Sequence, residues 1–305
     1  MIRPDKILAV DDDPAILRIY RELLAEAGLE VHTATSLDEA VTALDEGDWS
    51  VVLLDQRLHG AEGSDEGLTL VGEVDRRSPG AKVIIVTGYA SPETIEQAFA
   101  AGVYDYVEKT QNFETLLRAK LRNATELARE RWLASLDQDQ VSAELVRQWD
   151  AARAETNSAR KGRLLEDLLE LLFGQIPGFV VATRRRSLDE EFDLVVRNES
   201  ADPLWSKDSQ YFIVECKNWS SKVDPRELDR FVNKLERRYG RARFGFFVAT
   251  NGFTAGVKTT LAANRKGDVL VIPLDGGDLA TLVQADDREA LLKQHHQRAV
   301  EASSV

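Results

Sequence analysis

Short apolar runs alternate with helical periodicity from the start of the chain. "KILAV", "EVHTAT", "SVVLLD", "KVIIVTG" and "DYVEK" read as strands, because a brief apolar run between turn signals suits a buried strand. Between them, "AILRIYRELLAEAG", "LDEAVTALDEG", "LTLVGEVDRRS" and "PETIEQAFAAG" repeat apolar residues every three or four positions, one face of a helix. Strands separated by amphipathic helices predict a parallel sheet covered on both faces. From Phe113, "FETLLRAKLRNATELARERWLASL" predicts one long helix with Leu117, Leu121, Ala124, Leu127 and Ala128 on a single stripe. "QVSAELVRQWDAARAETNSARKG" continues mostly as helix, with breaks expected at Asp137, Asp139 and the Thr156-Asn157-Ser158 cluster. The stripe suits a helix packing on its own domain and a helical dimer stem equally well.

A second α/β pattern follows. Helix "ARKGRLLEDLLELLFGQI" precedes strands "FVVATRRR", "EFDLVVRN" and "QYFIVECKNW"; then come helix "PRELDRFVNKLERRYG", strand "RFGFFVATN", a further helix and strand "DVLVIPL". The first strands are expected to form an antiparallel front. Residues 1–120, 121–157 and 158–305 are therefore expected to be an α/β domain, a helical connector and a second α/β domain.

Composition changes this picture little. At 43% hydrophobic and 30% charged, the 305 residues read as soluble and globular. No apolar run approaches the ~20 residues of a membrane span. The opening "MIRPDKILAVDDDP" breaks into acids too soon for a signal peptide. A cytoplasmic protein without a membrane partner is the expectation. One cysteine, Cys216, excludes an intramolecular disulfide and a cysteine-built zinc site. Charge separates the two halves. The net charge is −13, and residues 1–120 carry 11 Lys and Arg against 23 Asp and Glu. Nearly all the acidity thus belongs to the first domain.

In parallel sheets, chemistry collects beyond the carboxyl ends of the strands. Those ends carry Asp11 and Asp12, Asp55, Thr87 and Lys109. Three converging carboxylates repel one another unless a hard divalent cation neutralises them, and oxygen ligands suit Mg²⁺. A lysine and a hydroxyl on neighbouring strands can hold phosphoryl oxygens.

"ILAVDDDP", "VVLLD", "VIIVTGYA" and "YDYVEK" resemble the receiver domain of two-component response regulators over 1–120. The resemblance implies a flavodoxin-like doubly wound fold and a sensor histidine kinase as partner. It makes Asp55 the phosphoacceptor. Mg²⁺ would be held by Asp11, Asp12 and Asp55 with the Arg57 backbone carbonyl. Thr87 and Lys109 would bind the phosphoryl group, with Tyr106 as an aromatic switch that packs inward as Thr87 moves. The chain departs from the family in places: His59 and Thr110 stand where it usually has prolines, and the "HGAEGSDEG" loop is a few residues longer than usual.

In "YFIVECKNW", Glu215 and Lys217 are two apart, so they share one face of a strand. Asp193 opens the preceding strand. Two close carboxylates and a lysine are parts for phosphodiester hydrolysis, although this spacing alone also describes an edge-strand ion pair. "KGRLLEDLLELLF", Asp193, "ECKNW" and "FGFFVATNGFTAGV" together resemble the Mrr-like branch of the PD-(D/E)xK nucleases, over about 160–275. This implies a restriction-endonuclease-like domain with a mixed sheet. Asp193 and Glu215 would bind Mg²⁺ or Mn²⁺ with the Cys216 backbone carbonyl. Lys217 would be the catalytic lysine, and Glu166 the helix-borne acid completing the metal shell. "RSLDEEFD" replaces the usual glycine-rich approach and Phe192 the superfamily's proline, so Glu190 or Glu191 stays open as the ligand.

Basic residues offer a substrate side: Arg184, Arg185 and Arg186 before the site, and Lys234, Arg237, Arg238, Arg241 and Arg243 along a helix and its exit. Such residues contact phosphates without reading sequence. His295 and His296, in a polar final helix, are expected to face solvent. The resulting expectation is a phosphorylation-controlled, metal-dependent endonuclease acting on duplex DNA as a homodimer. The alternatives are a non-cutting nuclease fold that binds DNA or protein, and a protein-interaction regulator.

Overall fold

The computed structural model describes residues 6–26, 29–58, 66–183, 194–237, 241–263 and 269–304, and divides the chain into two compact units at 136/137. His59 and most of the loop after it, Arg184–Arg186, Glu190–Asp193 and Arg238 lie outside the described residues.

The first unit runs β1 (Lys6–Val10), α1 (Pro14–Glu26), β2 (Glu30–Ala34), α2 (Leu37–Glu46), β3 (Val51–Leu54), α3 (Glu66–Arg77), β4 (Lys82–Thr87), α4 (Pro92–Ala100), β5 (Asp105–Glu108) and α5 (Phe113–Ser135). Its sheet has the order β2-β1-β3-β4-β5 and every pairing is parallel. Strand alternation builds two cores. Leu8, Val10, Val52, Leu54 and Ile85 pack with Leu44, Leu70, Val74 and Ala98. Ile7, Ala9, Val51, Leu53, Ile84 and Val86 pack with Leu17, Leu24, Leu117 and Leu121 on the other face. The predicted stripe of α5 is therefore occupied, as far as Ala124, by its own domain's core.

The second unit runs α6 (Gln138–Ala154), α7 (Ser158–Gly174), β6 (Phe179–Thr183), β7 (Leu194–Asn198), β8 (Tyr211–Lys217), α8 (Pro225–Glu236), β9 (Phe244–Ala249), α9 (Ala255–Ala263), β10 (Leu270–Asp275), α10 (Gly276–Gln284) and α11 (Arg288–Ser304). Helix α6 packs on α7 and α10. The expected connector is thus shared between the units: α5 belongs to the first and α6 to the second. The sheet is mixed, β10-β9-β8-β7-β6, with β6, β7 and β8 antiparallel and β8, β9 and β10 parallel.

Alternation again separates two layers. Phe212 and Phe246 meet Phe173 of α7. Ile213, Phe247 and Ala249 meet Leu228, Phe231 and Leu235 of α8. Glu215 and Lys217 continue the Ile213 face, the one covered by α8, and Cys216 is buried on the other.

The final helix corrects the sequence reading. His296 is only 7% exposed. Its Nε2 lies 2.7 Å from Asp208 Oδ2, and its ring stands edge-on to Trp205 and Phe244. His295 is also largely covered. A polar helix can be held by a few well-placed contacts, here with Leu292 and Arg288 also buried.

Candidate functional sites

The first site lies at the carboxyl ends of β1, β3, β4 and β5. Asp11 is fully buried, and oxygens of Asp11, Asp12 and Asp55 all lie within 4.8 Å of one another. Lys109 reaches across: its Nζ donates to Asp11 Oδ2 at 2.7 Å and to Asp55 Oδ2 at 2.6 Å. Burial pushes the Asp11 carboxyl up to about 6, against the pull of the Lys109 ammonium. Burial also acts to lower Lys109, but hydrogen bonds and charge from Asp11 and Asp55 together hold it above its ordinary value. Tyr20, beneath the site, donates to Asp11 Oδ2 at 3.4 Å. Burial, then the charges of Asp11 and Asp55, raise its phenol.

The backbone after Asp55 is fixed by close contact. The Gly67 N–H donates to the Gln56 carbonyl at 3.0 Å, and a Cβ on Gly67 would stand 2.1 Å from the Asp55 carbonyl oxygen. Only glycine permits α3 to start there. The Arg57 N–H donates to Asp55 Oδ1 at 3.3 Å, and its guanidinium lies 4.6 Å from the centre of the Tyr89 ring. Thr87 is buried, with its Oγ1 accepting from the Tyr89 N–H at 3.2 Å. Tyr106 is half-buried and donates to Gln56 Oε1 at 3.1 Å, a partner that the sequence did not announce. The donor set is all oxygen, three carboxylates against one ammonium, which fits a hard divalent cation.

The second site is at the end of β8. Glu215 is 5% exposed. Lys217 Nζ donates to its Oε1 at 2.8 Å, and Lys234 Nζ, from α8, donates to its Oε2 at 2.7 Å. Lys217 also lies 3.7 Å from Glu227 Oε2, and Glu227 pairs with Arg230. Lys234, which the sequence reading offers to a DNA backbone, has its ammonium on Glu215 inside the site. The helix explains this, because Glu227, Phe231 and Lys234 are spaced i, i+4, i+7 and share one stripe. With Phe231 buried against Phe247, the other two flank the strand end.

Asn218, the next residue after Lys217, locks that end. Its Nδ2 donates to the Ala152 carbonyl of α6 at 3.1 Å and the Lys161 carbonyl of α7 at 2.8 Å. Thr250 Oγ1 donates to Asn218 Oδ1 at 2.8 Å, and the Thr250 N–H donates to the Lys217 carbonyl at 3.1 Å. Successive carbonyls of a strand point to opposite neighbours, so the Cys216 carbonyl points to the β7 side, beyond the last described pair, Leu194 with Val214. Trp219 is exposed, with Lys217 Nζ 5.7 Å from its ring centre. Glu166 is on α7, about 7.5 Å of helix rise beyond Lys161, whose carbonyl Asn218 holds. Asp193, Arg184, Arg185, Arg186 and Arg238 lie outside the described residues, as do the alternatives Glu190 and Glu191. Arg237, Arg241 and Arg243 are exposed. The Glu215 carboxylate and the Cys216 carbonyl are both oxygen donors and fit a hard cation.

Comparisons with known proteins place one family match within each unit. The family model for the response regulator receiver domain matches residues 7–120, and the family model for a restriction endonuclease matches residues 158–283. Curated relatives include the alginate biosynthesis transcriptional regulatory protein AlgB of Pseudomonas putida, 38% identical over 34% of this chain and 22% of that protein. The nitrogen assimilation regulatory protein NtrX of Azorhizobium caulinodans is 31% identical over 36% of this chain and 23% of that protein. The chain thus spans under a quarter of the length of these relatives. Among solved structures, the receiver domain of NtrX from Brucella abortus is 31% identical, with a TM-score of 0.35, covering 39% of this chain and 98% of that one. A CheY-like receiver domain protein from Methanospirillum hungatei is 32% identical, with a TM-score of 0.36, covering 41% of this chain and 98% of that one.

Proposed function

For a chain that joins a response regulator receiver domain to a restriction endonuclease domain, we propose a phosphorylation-controlled, divalent-metal-dependent DNA endonuclease. The observation that carries this reading is the buried Glu215 carboxylate paired with Lys217 at the end of β8. An isolated carboxylate there would be costly, and the pairing keeps an acid and a lysine together at the strand end.

In this reading Asp55 accepts a phosphoryl group from a sensor histidine kinase, with Asp11, Asp12, Asp55 and the Arg57 carbonyl holding Mg²⁺. Lys109 and Thr87 bind the phosphoryl oxygens, and Tyr106 follows Thr87. At the second site Glu215, Asp193, the Cys216 carbonyl and Glu166 hold Mg²⁺ or Mn²⁺. When bound, that cation polarises the scissile phosphate and acidifies a water. Lys217 orients the attacking water and offsets charge as it develops on the phosphate. Asn218 keeps Lys217 in place by fixing the backbone beside it. Arg184, Arg185, Arg186, Arg237, Arg238, Arg241 and Arg243 contact the DNA backbone, and two copies reach the two strands of a duplex. A cytoplasmic setting belongs to the same proposal, and no described helix is long and apolar enough to cross a membrane.

The test is cleavage of supercoiled plasmid, nicked duplex and single-stranded DNA with Mg²⁺ or Mn²⁺, with and without acetyl phosphate. Lys217→Ala is expected to slow cutting about 10²- to 10³-fold, and the acetyl phosphate lanes give the sign of control. DNA retained without cutting in the wild type would point to a binding module. Neither binding nor cutting would leave a protein-interaction regulator.

A further inference from the structure

The second site contains a lysine that the strand motif does not supply. Lys234 comes from the last turn of α8, and its side chain is only 21% exposed. Its Nζ occupies Glu215 Oε2 at 2.7 Å while Lys217 Nζ occupies Oε1 at 2.8 Å. Both oxygens of one buried carboxylate are therefore held by ammonium groups. A divalent cation that takes Glu215 meets a positive charge at each oxygen, and like charges sharing one carboxylate repel. The two lysines are placed differently to respond. Lys217 has Glu227 3.7 Å away as a second anion, and its backbone is fixed by the strand and by Thr250. Lys234 reaches the carboxylate from the last turn of α8, and its four-carbon stem, the same as that of Lys217, lets the ammonium swing several ångströms.

Building on the nuclease reading above, we infer that Lys234 is a second phosphate-binding lysine of this site. It rests on Glu215 until a divalent cation takes that carboxylate, and then turns to the scissile phosphate. Before the cation arrives it keeps Glu215 neutralised and in position. Afterwards it adds a second positive charge where the phosphate gains negative charge. The same ammonium thus opposes cation entry and favours the reaction that follows.

These two effects have opposite signs, which gives the experiment its readout. Mn²⁺ binding is measured by titration calorimetry on the full chain in an Asp12→Asn background. The added Glu215→Gln variant sets the baseline for any ion still held by the receiver. Lys234→Met, which keeps the aliphatic stem, is expected to bind the ion above baseline about 10-fold more tightly. At saturating Mn²⁺ it is expected to cut DNA about 10- to 100-fold more slowly. Lys234→Arg keeps the charge and is expected to bind the ion like the parent and to recover most of the cutting. Melting curves confirm that each variant is folded. Unchanged or weaker ion binding in Lys234→Met, or unchanged cutting at saturation, overturns the role of Lys234 while the nuclease reading stands. If the parent binds no ion above baseline, the nuclease reading falls and this inference falls with it.

Discussion

The two sites use the same chemical groups in inverse proportion. In the receiver unit one lysine, Lys109, bridges two carboxylates from different strands, with a third carboxylate beside them. In the second unit one carboxylate, Glu215, is bridged by two lysines from a strand and a helix, with Glu227 close to one of them. The first cluster carries excess negative charge and is built to attract a cation before anything else. Among the described residues the second sets Glu215 and Glu227 against Lys217 and Lys234, so on the proposed reading a cation must displace a resident charge and leave the lysines for an anion. A receiver only has to accept and hold a small phosphoryl group. If the second unit is the nuclease proposed above, it must also bring a polyanion to its metal, and a positive reserve at the site serves that end.

The largest expected effect separates the two sites outright. Asp55→Asn is expected to abolish phosphate incorporation from acetyl phosphate, measured by mass or Phos-tag mobility, because among the described residues no other carboxylate occupies the end of β3. The Mn²⁺ site at Glu215 should keep its affinity in that variant. Incorporation that persists would remove Asp55 as the acceptor, and a lost Glu215 site would mean that the clusters are not independent.

The next effect probes what holds the second site rigid. Asn218→Ala deletes the side chain bonded to Ala152, Lys161 and Thr250, and leaves carbonyls of two helices without that donor. A loss of about 2–3 kcal/mol is expected, read from urea midpoints followed by fluorescence. Because the anchor follows Lys217 directly, cleavage should fall with stability. A variant as stable as the wild type would show that the strand end is held by the sheet alone.

The difference between the sites also explains what the sequence could convey. Asp11, Asp55, Thr87 and Lys109 sit at strand ends, and the strands are set by local hydrophobic pattern, so these residues are legible in the sequence alone. Glu215 and Lys217 were legible for the same reason, since a strand's two-residue period puts them together. Lys234 is legible only as one of a row of basic residues offered to phosphates, not as a partner of Glu215. Its place depends on how α8 lies on β8 and β9. The Glu227–Phe231–Lys234 stripe held the necessary signal but needed the buried face as reference. His296 was missed similarly: its partner Asp208 is 88 residues away in sequence, and no local pattern joins them. Helix α10 was missed although Asp275 and Asp278 form a capping box that marks its start.

The smallest expected effect on stability asks most of the link between the sites. Tyr106→Phe removes only the hydroxyl that donates to buried Gln56, worth about 1 kcal/mol or less in a net hydrogen bond. Asp55, Lys109 and Thr87 are untouched, so phosphate incorporation should proceed as in the wild type. If Tyr106 passes the state of Asp55 onward, acetyl phosphate should change the cleavage rate less in this variant than in the wild type, while the rate without it stays the same. An undiminished response would show that the phenolic bond to Gln56 is structural, and that phosphorylation reaches the nuclease by another route. The comparison would then rest on two chemically independent sites in one chain, with the coupling carried elsewhere.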